Sequence, residues 1–269
     1  TKIPRAVIEA APNLKVVSRH GVGYDSVDVA ALTERGIPLC VAATSNAVSV
    51  AEHTMYFILS LAKKSVEFDH ATRNDNFWIK RQMGAQDIAD KSVLLVGFGR
   101  IGTRVAKRAL AFDMKVSVID PFVDDAVIKA AGCTPVHDLA AVLPQMDFVS
   151  LHCPKSPETV NLMGKAQFAA MKPTAHVINT ARGGMVDEDA LYDALTSGAI
   201  AGAGIDVFAS EPPKPEHPLF QLDNIIVSPH SAGVTEQSIL RMASQTAENV
   251  LNVLDGKPNP DTVINKEVL

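Results

Sequence analysis

Cysteine is scarce in this chain of 269 residues, which contains only Cys40, Cys133 and Cys153. No two of them have the C-x-x-C spacing. Three thiols at such positions argue against a zinc site and against a disulfide framework. We therefore expect buried free thiols in a reducing compartment, and we predict no metal site.

Long hydrophobic runs are also missing. The longest apolar stretch, around Met55–Ala62, is far too short to cross a bilayer and follows Glu52 and His53. The first residues show no signal-peptide pattern. We therefore expect no membrane partner and a cytoplasmic location.

An excess of positive charge is the third feature that the chain lacks. The formal net charge is −5, and the largest basic cluster, formed by Arg104, Lys107 and Arg108, has helical spacing. Such spacing is typical of a solvated helix face, so we expect no nucleic-acid partner. Apolar residues are plentiful, however: 47% are hydrophobic and 20% are charged, which argues against disorder and predicts a sizeable core.

Short apolar runs alternate with helical patterns, which predicts an α/β protein with a mostly parallel sheet. The runs are almost continuously apolar, as strands buried on both faces should be. The predicted strands are Lys15–Ser18, Pro38–Val41, Ser92–Val96, Lys115–Ile119, Asp147–Leu151, His176–Asn179, Ala203–Val207 and Ile225–Val227. The predicted helices include Val48–Leu61, Ile101–Phe112, Asp187–Thr196 and an amphipathic helix from Ile239 to Leu254 that ends at Gly256 and Pro258.

A glycine-rich run, G-F-G-R-I-G from Gly97 to Gly102, joins the predicted strand Ser92–Val96 to the helix that follows. Between a strand and a helix, this pattern indicates a dinucleotide-binding loop. Gly97 allows the tight turn, Gly99 lets a pyrophosphate approach the backbone, and Gly102 lets the helix pack closely on the sheet. The N-terminal amides of the helix would then face the phosphates.

Asp120 ends the strand that follows this loop, close to the spacing expected for a carboxylate that holds the ribose hydroxyls of the cofactor. Its charge would repel a ribose phosphate, so NAD is favoured over NADP. The alternative is an aspartate that only caps a helix or a turn.

Three polar clusters follow later strands and begin at Asn179, Asp206 and Ser228. They contain Arg182, Glu211 and His230, and ligands in open α/β sheets bind beyond the carboxyl ends of strands. A guanidinium can clamp a carboxylate, a histidine can exchange a proton near neutral pH, and a carboxylate can fix the tautomer of that histidine. Around a nicotinamide these groups suit reversible oxidation of a hydroxy acid. The alternative is a surface arginine, a turn glutamate and a histidine with a structural role.

The order of four motifs resembles that of the D-isomer-specific 2-hydroxyacid dehydrogenases, which include phosphoglycerate dehydrogenases and glyoxylate/hydroxypyruvate reductases. The motifs are G-F-G-R-I-G, N-T-A-R-G-G-M-V-D-E, G-I-D-V-F-A-S-E-P and S-P-H-S-A-G, and the resemblance runs from about Ala11 to about Val253. It implies a Rossmann cofactor domain, a flavodoxin-like substrate domain, NAD as cofactor and a small 2-hydroxy or 2-oxo acid as substrate.

The resemblance also implies roles for individual residues. Arg182 would bind the substrate carboxylate, His230 would be the general acid/base, and Glu211 would be its partner. Val22 and Gly23 would help to hold the carboxylate through their backbone amides. The further cofactor contacts implied are Arg100, Ile101, His152, Cys153, Pro154, Thr180, Ala181, Asp206 and Gly233. For His152 and Cys153, a packing role is an equally good interpretation.

Residues 46–236 are expected to form the complete doubly wound domain. Residues 1–45 and 237–269 are too short for a comfortable domain of their own. From the resemblance we expect them to form a smaller substrate domain whose first part is absent from this chain. The resemblance further implies a homodimer built on the Val66–Asp90 region.

Two alternatives to a 2-hydroxyacid dehydrogenase stay open. One is an NAD-binding sensor of the corepressor kind, and the other is a related dehydrogenase acting on a small anion such as phosphite. Formate dehydrogenases fit less well, because they carry glutamine where Glu211 stands.

Overall fold

A computed structural model describes residues 2–82 and 84–269 and divides the chain into two compact units. The smaller unit comprises Thr1–Ser49 and Gly233–Leu269, and the larger unit comprises Val50–Ala232. The limits predicted for the larger domain, 46 and 236, each lie four residues outside those of this unit. No helix in the described residues is long and apolar enough to cross a membrane.

The strands of both units are short and lie in two parallel sheets. In chain order they are β1 (Val17–Arg19), β2 (Leu39–Val41), β3 (Ser92–Val96), β4 (Lys115–Ile119), β5 (Thr134–Pro135), β6 (Phe148–Leu151), β7 (His176–Asn179), β8 (Gly202–Ile205) and β9 (Ile225–Val227).

The helices alternate with the strands through most of the chain. They are α1 (Arg5–Glu9), α2 (Val29–Glu34), α3 (Ala47–Ala62), α4 (Ser65–Arg73), α5 (Gly102–Ala111), α6 (Asp125–Ala130), α7 (Leu139–Val142), α8 (Lys165–Ala170), α9 (Glu188–Thr196) and α10 (Glu236–Leu254). Short 3₁₀ helices occur at Phe77–Arg81, Leu143–Gln145, Pro218–Gln221 and Lys266–Val268.

The larger unit is built on a seven-stranded parallel sheet with the order β5-β4-β3-β6-β7-β8-β9. The chain begins this sheet at β3, moves outward through β4 and β5, and then crosses back to β6 on the other side of β3. This doubly wound order confirms the predicted α/β fold. It also places the glycine-rich loop, which follows β3, at the point where the strand order reverses and where ligands of such sheets bind.

Alternate side chains of the central strands enter two different cores, one on each face of the sheet. On β3, Leu94 belongs to the core that includes Phe168 of α8. Leu95 belongs to the core that includes Phe57 of α3 and Val105 of α5. Burial of both faces explains why the strand segments read as continuous apolar runs rather than as alternating patterns.

The smaller unit contains the two parallel strands β1 and β2, with Val17 paired to Leu39. Its core is formed by Ile8, Val17, Val27, Ala31, Leu32, Ile37 and Leu39. The buried side chain of Asn265 ties the chain terminus to β2, because it accepts a hydrogen bond from Leu39 N and donates one to Ile37 O.

Several segments differ from the sequence prediction. The two-residue strand β5 is missing from the predicted set, because Thr134–Pro135 is too short to give a periodic signal. The polar region after α3 has no predicted element, but it contains the helix α4, which has a charged surface and little apolar material. In addition, β8 begins at Gly202 and ends at Ile205, whereas the predicted strand ran to Val207.

Candidate active site

The glycine-rich loop has the close backbone packing that its sequence predicts. Gly97 has a φ of 103°, and a Cβ atom there would lie 2.7 Å from Cys153 N. A Cβ on Gly102 would lie 2.1 Å from Gly97 O. A Cβ on Gly99 would meet no atom within 4 Å, so this glycine faces open space. The loop therefore leaves room at Gly99 for a group to approach the backbone, beside the N-terminus of α5.

Asp120 lies directly after β4, and its carboxylate is tied to this loop. Oδ2 accepts a hydrogen bond from Phe98 N at 2.7 Å, and Oδ1 accepts one from Phe122 N at 2.9 Å. A carboxylate has about four acceptor positions, so both oxygens can accept further bonds from hydroxyl groups. The residue thus has the turn role foreseen as its alternative, and the ribose contact stays a prediction.

His152, Cys153 and Pro154 follow β6, next to the glycine-rich loop. The ring of His152 reaches the hydroxyl of Ser150 through Nε2, 2.9 Å away, while its Nδ1 is buried with no hydrogen-bond partner. Burial lowers the pKa of His152 to about 3 and raises the pKa of the Cys153 thiol to about 11. The imidazole is therefore neutral and the thiol protonated near neutral pH, which favours packing over proton transfer or nucleophilic chemistry.

Arg182 lies in a turn after β7 that the side chain of Asn179 organises. The amide of Asn179 accepts a hydrogen bond from Ala181 N at 3.0 Å and donates one to Arg182 O at 2.9 Å. Thr180 is buried, with its hydroxyl 3.0 Å from that of Thr54 on α3. This network fixes the backbone on both sides of Arg182, whose guanidinium donates to Ala181 O.

Glu211 and His230 form a direct hydrogen bond, with Glu211 Oε2 2.7 Å from His230 Nδ1. The second carboxylate oxygen, Oε1, accepts from Phe208 N at 3.0 Å. A carboxylate can only accept, so Nδ1 of His230 carries the proton and donates it to Glu211. Nε2 of His230 is then left to act as a proton donor or acceptor toward a ligand, as in other carboxylate–histidine pairs.

The backbone of His230 is in the left-handed region, with a φ of 53°, which is rare for a residue with a side chain. Asp206, which is 1% exposed, organises this turn: its carboxylate accepts from Ser231 N at 2.8 Å and from Ala232 N at 3.0 Å. Its backbone carbonyl accepts from His230 N at 2.8 Å. Asp206 therefore holds the turn that presents His230, and this is a role that the sequence did not reveal.

Two further residues belong to this network and were missed. The hydroxyl of Ser228 donates to Asp206 Oδ1 at 2.5 Å, and Nε2 of His53 lies 3.0 Å from the same hydroxyl. Burial lowers the pKa of His53, so the ring is neutral and donates from Nε2. Ser228 stands two residues before His230, but no sequence pattern indicates that His53, on a distant helix, meets it.

The packing of Gly183 brings the Arg182 turn and the Glu211 loop together. A Cβ atom at position 183 would lie 1.7 Å from Phe208 O, so the two backbones are in contact. Three of the predicted site regions, after β7, β8 and β9, therefore meet at the carboxyl edge of the sheet, the edge at which the glycine-rich loop also lies.

The remaining predicted residues lie in the smaller unit. Val22 and Gly23 stand in the loop after β1, where Gly23 O accepts a hydrogen bond from Arg19 Nε at 3.1 Å. Gly233 packs against Asn46, whose side-chain oxygen is buried with no hydrogen-bond partner. The structure leaves the roles predicted for these three residues as predictions.

All three thiols are free, with Cys40 and Cys133 buried and Cys153 half-buried. The described residues contain no group of three or more His, Cys, Asp or Glu side chains that could hold a metal ion.

A doubly wound sheet with a glycine-rich loop at its switch point and a carboxylate after the next strand is the arrangement of a dinucleotide-binding protein. Residues 55–232 match the family described as D-isomer specific 2-hydroxyacid dehydrogenase, NAD binding domain. The chain therefore belongs to the D-isomer-specific 2-hydroxyacid dehydrogenase family, and its cofactor is NAD.

Relatives of known name support this membership. A D-3-phosphoglycerate dehydrogenase of Archaeoglobus fulgidus is 40% identical over 258 residues, which is 96% of this chain and 49% of that protein. A glyoxylate reductase of Thermofilum pendens is 40% identical over 274 aligned residues, covering 100% of this chain and 80% of that protein. The chain thus spans about half the length of the D-3-phosphoglycerate dehydrogenase that it matches.

The TT0316 protein from Thermus thermophilus is a solved structure of similar fold. It superposes with a TM-score of 0.90 at 36% identity, over 98% of this chain and 83% of that one. The similarity covers both units of the present structure.

Proposed function

We propose that this chain catalyses NAD-dependent interconversion of a small D-2-hydroxy acid and its 2-oxo acid. The observation that carries this proposal is the 2.7 Å contact between Glu211 and His230 at the edge of the sheet where the glycine-rich loop lies. Family membership and the names of the relatives, which include a D-3-phosphoglycerate dehydrogenase and a glyoxylate reductase, support it.

Each side chain has a distinct task in this proposal. Bound NADH supplies the hydride that reduces the 2-oxo carbon. Arg182 binds the substrate carboxylate and polarises the carbonyl oxygen, because a planar guanidinium can donate two parallel hydrogen bonds. His230 gives its Nε2 proton to the carbonyl oxygen as the hydroxyl forms.

Glu211 and Asp206 act on His230 rather than on the substrate. Glu211 holds the proton on Nδ1 and stabilises the charged imidazolium when it forms. Asp206 fixes the left-handed turn of His230 through the two following amides. In the oxidative direction the same groups act in reverse, so His230 accepts the hydroxyl proton.

The cofactor roles proposed for the larger unit are those that the family resemblance implies. Gly97, Gly99 and Gly102, with Arg100 and Ile101 between them, would hold the pyrophosphate, and Asp120 would hold the ribose hydroxyls. Thr180, Ala181 and Asp206 would line the nicotinamide site, and His152, Cys153 and Pro154 would lie beside the adenine. Val22, Gly23 and Gly233 of the smaller unit are proposed to contact substrate and cofactor.

A panel of 2-oxo acids with NADH tests the proposal, scored by kcat/KM on the protein in its full length. We expect kcat/KM for at least one of glyoxylate, hydroxypyruvate and 3-phosphohydroxypyruvate to be well above the values for the other 2-oxo acids. Uniformly poor turnover of all of them, with intact NADH binding, would instead favour a sensor that uses the cofactor to control its partners.

We further propose a homodimer that uses the segment after α4. Phe77 and Trp78 are more than half exposed there, at 57% and 58%. Lys80 Nζ lies 4.1 Å from the centre of the Phe77 ring, and the guanidinium carbon of Arg81 lies 4.1 Å from that of Trp78. Exposed aromatic and arginine side chains of this kind are typical of protein interfaces.

A further inference from the structure

The loop that carries Glu211 is held by a second carboxylate that the proposed reaction does not use. Glu188 is the first residue of α9, and its Oε1 accepts a hydrogen bond from Ala209 N at 2.6 Å. Its Oε2 lies 3.1 Å from Nε2 of His217. Both oxygens of this side chain are therefore engaged, and the side chain is only 20% exposed.

Two consecutive backbone amides of the loop donate to two different carboxylates. Phe208 N donates to Glu211 and Ala209 N donates to Glu188. The carbonyl of Phe208 is in contact with Gly183, next to Arg182. The loop is thus held by three contacts. One is with Glu211 of the proposed acid/base pair, one is with Glu188, and one is with Gly183, the neighbour of Arg182.

The side chain of His217 has no other hydrogen-bond partner among the described residues. Its Nδ1 is buried without a hydrogen bond, and its ring packs 5.6 Å from the ring of Phe208 and 5.2 Å from that of Phe220. Because Glu188 can only accept, His217 donates from Nε2 and fixes the orientation of the carboxylate. The aromatic contacts in turn fix the ring of His217.

Asp189, the next residue on α9, is a carboxylate in the same helix turn, and among the described residues it makes no hydrogen bond with the loop. It also belongs to the first turn of the helix, but its side chain is exposed. A carboxylate there interacts favourably with the helix dipole in either case. The contacts of Glu188 with the loop are therefore additional to what the helix requires.

We propose that Glu188 and His217 form a clamp that holds Glu211 in contact with His230. Both are positioning residues, because they act through the backbone at Ala209 and touch neither proposed reacting group. The proposal rests on the proposed function for its effect on turnover, but its structural consequence does not depend on turnover.

That consequence is the tautomer of the neutral His230 ring. The contact with Glu211 keeps the proton on Nδ1, and the position of that proton is set by the hydrogen bond that the nitrogen makes. Without the clamp, the loop keeps only its contacts with Glu211 and Gly183, the contact between Glu211 and His230 loosens, and part of the ring population moves its proton to Nε2. Nitrogen-15 NMR of the imidazole rings distinguishes the two tautomers, and His230→Gln identifies the signals of His230.

The experiment compares the full-length protein with Glu188→Ala and with the matched control Asp189→Ala. In alkaline buffer we expect the Nδ1–H tautomer in the unmodified protein and in Asp189→Ala. In Glu188→Ala we expect a mixture with the Nε2–H tautomer. Its kcat should fall about tenfold with the KM for NADH unchanged, the scale of one lost charge-assisted hydrogen bond.

Conservative variants separate positioning from folding. Glu188→Gln keeps an oxygen that can accept from Ala209 N, and it should recover the Nδ1–H tautomer and most of the lost kcat. If Glu188→Ala does not fold, His217→Phe provides the comparison, since it keeps the ring packing and removes the donor to Glu188. His217→Phe should also give a mixture of tautomers, with a smaller share of the Nε2–H form than Glu188→Ala gives.

The wild-type tautomer in both Glu188→Ala and His217→Phe would overturn the clamp, even if their unfolding midpoints fell. An Nε2–H tautomer in the unmodified protein would overturn it as well. Failure of the unmodified protein to reduce any 2-oxo acid would remove the proposed function, while the tautomer comparison would still decide on the clamp.

Discussion

At the scale of single residues, the carboxylates of Asp120 and Asp206 are held by hydrogen bonds from the protein itself. Asp120 accepts from two backbone amides of its own surroundings and is proposed to accept from the ribose as well. Asp206 accepts from three donors in the His230 turn. Such carboxylates are fixed before any ligand binds, so their charge is presented at a defined position rather than on a mobile side chain.

The charge of Asp120 leads to a prediction about the cofactor. Asp120→Asn should raise the kcat/KM ratio of NADPH to NADH by about tenfold, because the repulsion of a ribose phosphate is removed. The measurement is kcat/KM with each cofactor on the same 2-oxo acid. Asp124→Asn, which neutralises the N-cap residue of α6, is the matched control. An unchanged ratio in Asp120→Asn would contradict the ribose role.

Buried histidines lead to a prediction about stability and pH. Burial lowers the pKa of His176 to about 4, and the ring stacks on Phe148 with its Nδ1 unpartnered. An unfolded histidine has a pKa of about 6.5, so between about pH 6.5 and 4 the unfolded chain binds a proton that the folded protein does not. This contribution to stability is present above the unfolded pKa and is lost as the pH falls.

His176→Phe keeps the stacking and removes this titration. Each such histidine lowers the free energy of unfolding by up to about 1.4 kcal/mol per pH unit on acidification. Urea unfolding at pH 7 and pH 5 should therefore show a smaller loss in His176→Phe than in the unmodified protein. The exposed His20 provides the control variant, His20→Phe. Equal losses of unfolding free energy in all three proteins would contradict the lowered pKa of His176.

At the scale of elements, the site depends on how closely three turns approach one another. The Arg182 turn touches the Glu211 loop through Gly183, and the Glu211 loop touches the His230 turn through the carboxylate–imidazole bond. Short strands on a parallel sheet bring these turns to one edge, but the contacts between the turns fix their distances.

Gly183→Ala tests this packing. A Cβ atom 1.7 Å from Phe208 O cannot be accommodated unless one of the two turns moves. We expect kcat/KM to fall at least about 10²-fold, because displacements of about 1 Å have such effects on positioned groups. NADH binding, measured by fluorescence titration, should be retained. Gly164→Ala, whose Cβ would meet nothing closer than 3.5 Å, is the control. Normal turnover in Gly183→Ala would show that the contact between the two turns is dispensable.

Sequence periodicity predicted most of the sheet, because strands buried on both faces leave a strong apolar signal. The strands Ser92–Val96 and His176–Asn179 have the bounds that were predicted. The glycine-rich loop was also predictable, since each glycine answers a local steric requirement. The pairing of Glu211 with His230 was expected from their residue types and from the family resemblance.

Networks that join distant parts of the chain could not be predicted from the sequence. His53 meets Ser228, 175 residues further along the chain, and Glu188 meets Ala209 and His217. Each of these contacts depends on the tertiary arrangement, which local patterns do not encode. The left-handed backbone of His230 is likewise imposed by Asp206 and not by the residue itself.

At the scale of the whole molecule, the exposed aromatic side chains of the 3₁₀ helix Phe77–Arg81 carry the proposed dimer. Trp78→Glu should shift the protein from dimer to monomer in analytical ultracentrifugation, because a desolvated charge opposes burial of this surface. Phe122→Glu is the control, since Phe122 is 94% exposed and lies outside the segment. A dimer that persists in Trp78→Glu would place the interface elsewhere.

The acid/base role of His230 is the central claim, and single-turnover reduction by His230→Ala tests it most directly. The substrate is the best 2-oxo acid of the panel, with NADH oxidation followed after rapid mixing. We predict unchanged NADH affinity and a rate of hydride transfer lower by about 10²- to 10⁴-fold, the usual scale for a lost general acid. A rate within a few-fold of the unmodified protein would contradict the claim.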